Sequence, residues 1–176
     1  MTNLDATDAR ILLALDNEPD ATTLSLSRTL GIARNTVHAR LRKIAERGLL
    51  GQPSQRVNAA SLGYGLTAFM RLSISQSSPT ATVEALGCIP EITEVLAITG
   101  DGDLQARVVA RDPAHLYEIT TTILEIDGVS RSSTALAMAE IIPARMGPLL
   151  ERHTGIGKRA RTERPAPLEK RPPAKD

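Results

Sequence analysis

Between Arg28 and Arg47 the chain carries six lysines and arginines against a single acid, Glu46. Within that stretch Arg34, Asn35, Thr36, His38, Arg40 and Arg42 crowd into nine consecutive positions. Side chains of these types can hold a nucleic-acid duplex. Arginine and asparagine each present two hydrogen bonds to a base edge, and arginine also neutralises phosphate. A basic run of this kind can equally be a solvated helix face or part of a plain packing module. The elements around it decide between these readings.

Val37, Leu41 and Ile44 recur at i, i+4 and i+7, one apolar stripe of a helix, and Arg34, Asn35, His38 and Arg42 fall on the opposite face. Arg40 and Lys43 flank that face. A shorter amphipathic run precedes it from Thr22, joined at Leu30-Gly31-Ile32, where glycine permits the sharp turn between two packed helices. An earlier helix is expected over about Asp5–Leu15, with Asp5 accepting from the free amides at its start and Leu4, Ile11, Leu12 and Leu15 facing a core. Gly48 then stops the basic helix, and Leu49-Leu50, a turn at Gly51-Gln52-Pro53 and Val57 suggest a short β-ribbon. Three helices and a ribbon make a winged helix-turn-helix. The expected organisation is a DNA-binding domain at 1–50 and a linker or β-ribbon at 51–64.

The middle of the chain predicts a different unit at 65–146. Leu66–Ser75 reads as a strand, and Ser78-Pro79 offers an N-cap and first-turn proline for a helix ending near Gly87. Ile92–Thr99 is a second strand. Leu104, Ala106, Val108 and Ala110 alternate with polar residues in a third. Asp112-Pro113 starts a helix with Leu116, Ile119, Ile123 and Leu124 on one face, and Val129–Ile142 supplies the last strand. The order βαββαβ is that of a ferredoxin-like domain, so the fold class is α+β. Its sheet keeps one face uncovered, which calls for a partner subunit. Gly100-Asp101-Gly102-Asp103 reads two ways. It is a tight hairpin turn, or a loop whose backbone amides and Asp101 or Asp103 grip the charged ends of a free amino acid.

Composition narrows the function classes. The 176 residues are 41% apolar, enough for one or two cores. The net charge of +1 divides into +2 for residues 1–56, −5 for 57–150 and +4 for 151–176. An acidic middle between basic ends suits a chain whose first part touches nucleic acid. The single cysteine, Cys88, excludes an internal disulfide framework or a cysteine-rich zinc site and is expected to be a buried, inert thiol. His38, His115 and His153 have no ligand spacing and are expected at the surface, so neither a catalytic set nor a metal or cofactor is anticipated. Without a run of about 18 apolar residues, and with Met1-Thr2-Asn3-Leu4-Asp5 unlike a signal peptide, the protein is expected in the cytoplasm with no membrane partner. Residues 147–176, proline-rich and charged, are expected to form a disordered basic tail.

Four motifs in order give a resemblance. L-D-A-T-D-A-R-I-L-L-A-L (Leu4–Leu15), G-I-A-R-N-T-V-H-A-R-L-R-K-I-A-E-R-G-L-L (Gly31–Leu50), V-N-A-A-S-L-G (Val57–Gly63) and T-G-D-G-D-L (Thr99–Leu104) are similar to signatures of the Lrp/AsnC, or feast/famine, family. The resemblance covers about residues 4–146. It implies a transcriptional regulator, not an enzyme, whose winged domain binds double-stranded DNA. Its βαββαβ domain, of the RAM or ACT-like type, would bind a small effector, commonly an amino acid, and form dimers that assemble further, as in an octamer. Arg40 matches a family arginine and is expected at phosphate; Arg34, Asn35 and His38 are expected near base edges. Thr99, Gly100, Asp101, Gly102 and Asp103, with Thr134 on the last strand, match the effector pocket. The family usually has serine where Ala33 stands and a larger residue where Gly102 stands. An effector-independent protein that bends and coats DNA is the alternative, and an enzyme with a regulatory ACT-like domain a weaker third.

Overall fold

The computed structural model describes residues 4–75 and 79–155. They form two compact units, one drawn from Met1–Gly51 and Pro143–Asp176, the other from Gln52–Ile142.

In the first unit, α1 (Ala6–Asn17), α2 (Thr23–Leu30) and α3 (Arg34–Glu46) enclose Ala9, Ile11, Leu12, Leu26, Val37 and Ile44. Each start has a local cause. Asp5 accepts from the amides of Thr7 and Asp8 while the Asp8 carboxylate accepts from the Asp5 amide, a reciprocal capping box. Thr22 caps α2 through the Ser25 amide at 3.1 Å. The helix-turn-helix bend falls where expected, with Gly31 at φ 67° in the left-handed region. Arg10 donates to the Leu30 carbonyl at 3.0 Å and the Ser27 hydroxyl to that of Ile32 at 2.6 Å, fixing the turn.

Two expectations fail beside this unit. No strand forms over Leu49–Val57; Pro53–Arg56 closes into a 3-10 turn, because Pro53 sets its first residue and the Val57 amide bonds the Ser54 carbonyl rather than a neighbouring strand. The tail does not begin at Gly147. Gly147–Thr154 is a helix, α6, with Pro148 in its first turn, and it lies along α1. Leu150 is half-buried and His153 Nε2 meets the Leu4 carbonyl at 2.5 Å. Composition over the whole tail hid this one short amphipathic turn.

The second unit is the βαββαβ domain. Its strands are β1 (Leu66–Ile74), β2 (Ile92–Ala97), β3 (Leu104–Ala110) and β4 (Val129–Leu136), in the antiparallel order β2-β3-β1-β4. Helices α4 (Pro79–Gly87) and α5 (Pro113–Leu124) cover one face. Leu86, Ile119 and Ile123 from them pack on Met70, Leu72, Leu104, Ala106 and Val108 of the central strands. Asp112 caps α5 through the His115 amide at 2.8 Å. Ser78, the residue expected to cap α4, lies outside the described residues.

The strand expected through Ile142 stops at Leu136. Its only neighbour, β1, begins at Leu66, and the last rung is the Ala137 amide to the Thr67 carbonyl at 2.9 Å. Met138 and Ile141 beyond it are 89% and 86% exposed. Cys88 is exposed rather than buried, since Leu86 takes the inward position at the end of α4. His115 is not a surface histidine. It is 11% exposed, its Nδ1 accepts from the Arg111 amide at 3.2 Å, and its Nε2 lies 3.6 Å from Glu91. No helix among the described residues is long and apolar enough to cross a membrane.

Candidate nucleic-acid interface and effector loop

Burial of Val37 and Ile44 fixes the rotation of α3, and the opposite face carries Asn35, His38 and Arg42, all exposed. Thr36 and Lys43 flank them and are also exposed. Arg34, at the first turn, is exposed and its Nε donates to the Thr23 hydroxyl at 3.4 Å, at the start of α2. Five of the six residues singled out for DNA therefore share one accessible surface. Arg42 Nε also lies 2.6 Å from Glu46 one turn on, with both side chains more than half exposed. An exposed pair of this spacing is worth only about 0.3–0.5 kcal/mol, so a phosphate can displace the glutamate.

Arg40 departs from its expected role. Its guanidinium turns inward to α1, 2.5 Å from Asp5 and 2.7 Å from Asp8. It orients α3 against the capped end of α1 and so positions the reading face. Wheel geometry places Arg40 on the flank of the stripe, where a long side chain reaches a neighbouring helix as readily as solvent. The Arg40 hydrogen bond, ahead of the backbone bond from Asp8, holds the Asp5 carboxyl below the usual carboxylate range, and the two carboxylates raise Arg40. A lowered folded pKa means the stabilisation is present above the ordinary carboxylate range and is lost as pH falls through the folded value. Asp5 is 54% exposed, so screening limits this to about 0.2–1 kcal/mol. Thermal melts should show a destabilising step below about pH 4 in the parent that is reduced in both Asp5→Asn and Arg40→Ala.

Ala33 occupies the N-cap of α3 at φ −60°, ψ 140°, the backbone shape of a capping residue, yet supplies no side-chain bond. First-turn amides of α3 are thus left for solvent or a phosphate oxygen. Ala33→Ser should raise stability by about 0.5–2 kcal/mol, read as an increase in melting temperature. An unchanged or lower melting temperature would show that the amides already have a better partner.

In the second unit the loop Ile98–Asp103 joins β2 to β3, closed by the Ile98 amide on the Asp103 carbonyl at 3.0 Å. The positive φ expected of the Asp-Gly pair falls instead on Gly100, at 106°. Gly102 is needed for closeness: a Cβ there would lie 3.0 Å from Arg71 Cγ and 3.3 Å from the Leu72 carbonyl oxygen. Asp103 is pinned, its amide donating to the Leu72 carbonyl at 2.9 Å and its carboxylate accepting from the Ile74 amide at 2.8 Å. Asp101 is exposed and unpinned, and Thr99 lies within the loop. Thr134 pairs with Met70. It therefore faces the helix side of the sheet, and one protomer does not bring its hydroxyl to the opposite side.

On that open side Arg71, Ser73, Asp101, Arg131 and Ser133 line a recess of about 320 Å³. Sequence reasoning singled out only Asp101 of these. The signal was present in the alternation of β1, which puts Arg71 and Ser73 opposite Met70 and Leu72. Among the described residues no cluster of three metal-ligating side chains occurs.

Comparison with known proteins agrees with this architecture. A profile for winged helix-turn-helix DNA-binding matches residues 4–50, and one for the Lrp/AsnC ligand binding domain matches residues 67–146. The HTH-type transcriptional regulator PH1916 of Pyrococcus horikoshii is 30% identical over 142 residues, covering 78% of this chain and 95% of its own. The HTH-type transcriptional regulator FL11 of the same organism is 28% identical over 135 residues, covering 77% and 89%. E. coli AsnC superposes with a TM-score of 0.76 at 23% identity, covering 84% of this chain and all of its own. The regulator NMB0573 of Neisseria meningitidis, solved as an L-Met complex, superposes at 0.72 with 24% identity, covering 80% and 94%. With a DNA-binding helix-turn-helix followed by an Lrp/AsnC ligand-binding domain, the chain belongs to the Lrp/AsnC family of transcriptional regulators.

Proposed function

We propose that the protein is a sequence-specific regulator that binds DNA as an even-numbered homo-oligomer, and that a small effector, most simply an amino acid, biases that assembly. The outer face of α3 carries the reading. Asn35, His38 and Arg42 stand exposed on a helix whose buried side is fixed by Val37 and Ile44. Asn35 and His38 reach base edges together with Arg34, while Arg42 and Thr36 meet the backbone.

A module of about 50 residues reads a short half-site, so useful specificity needs two copies at a fixed spacing. The open sheet face supplies the two-fold contact. It exposes Phe69 and Leu96 by 37% and 50%, and Arg107 lies 5.8 Å over the Phe69 ring. The loop Thr99–Asp103 supplies the effector site, with Thr134 contributed across an interface between copies. The likeness to a regulator solved with L-Met supports an amino-acid effector.

The test is a thermal-shift screen of the full chain against the common amino acids, with light scattering repeated on any that act. A folded-state ligand raises the melting temperature by mass action. At least one amino acid should do so and change the oligomer distribution. If none does, and DNA binding is indifferent to all of them, the protein coats or bends DNA without an effector.

A further inference from the structure

We propose that the recess on the open sheet face binds an amino acid with an acidic side chain. The inference rests on the effector reading above and names the class of ligand for the same loop. Arg71 pairs with Ser133 and Ser73 with Arg131, so the two arginines sit diagonally across β1 and β4 on one face. Diagonal neighbours stand about 7–8 Å apart, within the span of two long side chains converging on one small molecule. Among the described residues neither guanidinium has a carboxylate within ion-pair distance, and Asp101 has no cation.

Those three groups define a charge pattern of two cations and one anion. An acidic amino acid presents the reverse, two carboxylates and one ammonium, so each ligand charge meets an opposite one. Arginine forks suit carboxylates in a two-bond geometry. A ligand with an apolar side chain leaves one guanidinium without a partner, and a basic one brings a repelled cation. Asp103 cannot take the ammonium's place at Asp101, because its carboxylate already holds the Ile74 amide. Gly102 contributes by being bare. The loop lies directly on the Arg71 stem and braces the guanidinium over the recess, where any Cβ would press at 3.0 Å. Ser73 and Ser133 line the remainder with neutral hydroxyls.

The experiment is a thermal-shift titration of the full chain with L-glutamate, L-aspartate, L-leucine, L-methionine, L-lysine and glutarate. Glutamate or aspartate should raise the melting temperature by several degrees at saturation. Glutarate, lacking the ammonium, should act at least about tenfold more weakly. Arg131→Gln should weaken the acidic amino acid at least about tenfold, and Asp101→Asn should weaken it without affecting glutarate. Ser133→Asp, which adds a carboxylate to the recess, is a second variant and should abolish the response if Arg131→Gln fails to fold. A shift from leucine, methionine or lysine with none from either acidic amino acid overturns this inference and leaves the effector reading intact. No shift from any amino acid overturns both.

Discussion

Phe69→Asp is expected to break the assembly into monomers and to weaken operator binding about 100-fold or more. Phe69 stands near the middle of the open face, on a central strand, with its ring under Arg107. An aspartate there puts a charge where a partner's apolar surface would have to close, and such a charge is costly to bury unpaired. It costs the protomer little, because Phe69 is 37% exposed and Arg107 can pair with the new carboxylate. Two half-sites held by one dimer gain about 10²–10⁴ in affinity over either alone, and that gain is what the variant forfeits. Sedimentation velocity reads the first effect and fluorescence anisotropy the second. An unchanged oligomer would move the two-fold contact to another surface.

Asn35→Ala should lower the preference for operator over random DNA by about 10- to 100-fold, while affinity for random DNA stays nearly constant. An asparagine that makes two hydrogen bonds to adenine discriminates by about 1–3 kcal/mol against the wrong base. Asn35 is exposed in the first turn of α3, opposite the buried Val37 and Ile44, and carries no charge to help at phosphate. Arg42→Ala should do the opposite, weakening all sequences alike and reducing the salt slope by about one. Competition anisotropy with the two duplexes separates the outcomes. Equal losses on operator and random DNA in the Asn35 variant would remove it from base recognition.

Much of this arrangement was legible in the residues because it is local. Periodicity of 3.6 placed Val37 and Ile44 inside and Asn35 outside, and Gly31 marked the turn. Alternation along Leu104–Ala110 marked a strand with one buried face. What stayed hidden depends on contacts distant in sequence. Arg40 reads as one more cation on a basic helix, and only the fold brings Asp5 and Asp8 to it. The Val129–Ile142 run has strand-forming residues throughout, but a strand ends where its neighbour does, and β1 begins at Leu66. The four motifs drew attention to the glycines of Thr99–Asp103, whereas the recess beside them takes its charges from Arg71 and Arg131 on two other strands. The short apolar turn in Gly147–Thr154 was diluted by the charged residues after it.

The central claim is that the exposed face of α3 reads DNA by sequence. The most direct measurement is anisotropy of the full chain on a duplex selected from a random pool and on scrambled duplexes of equal length, across a range of salt. The predicted result is a preference of about 10³ or more for the selected duplex that persists as salt rises, while affinity for both duplexes falls steeply. Equal affinity for selected and scrambled duplexes at every salt concentration would contradict it and leave only electrostatic coating of the backbone.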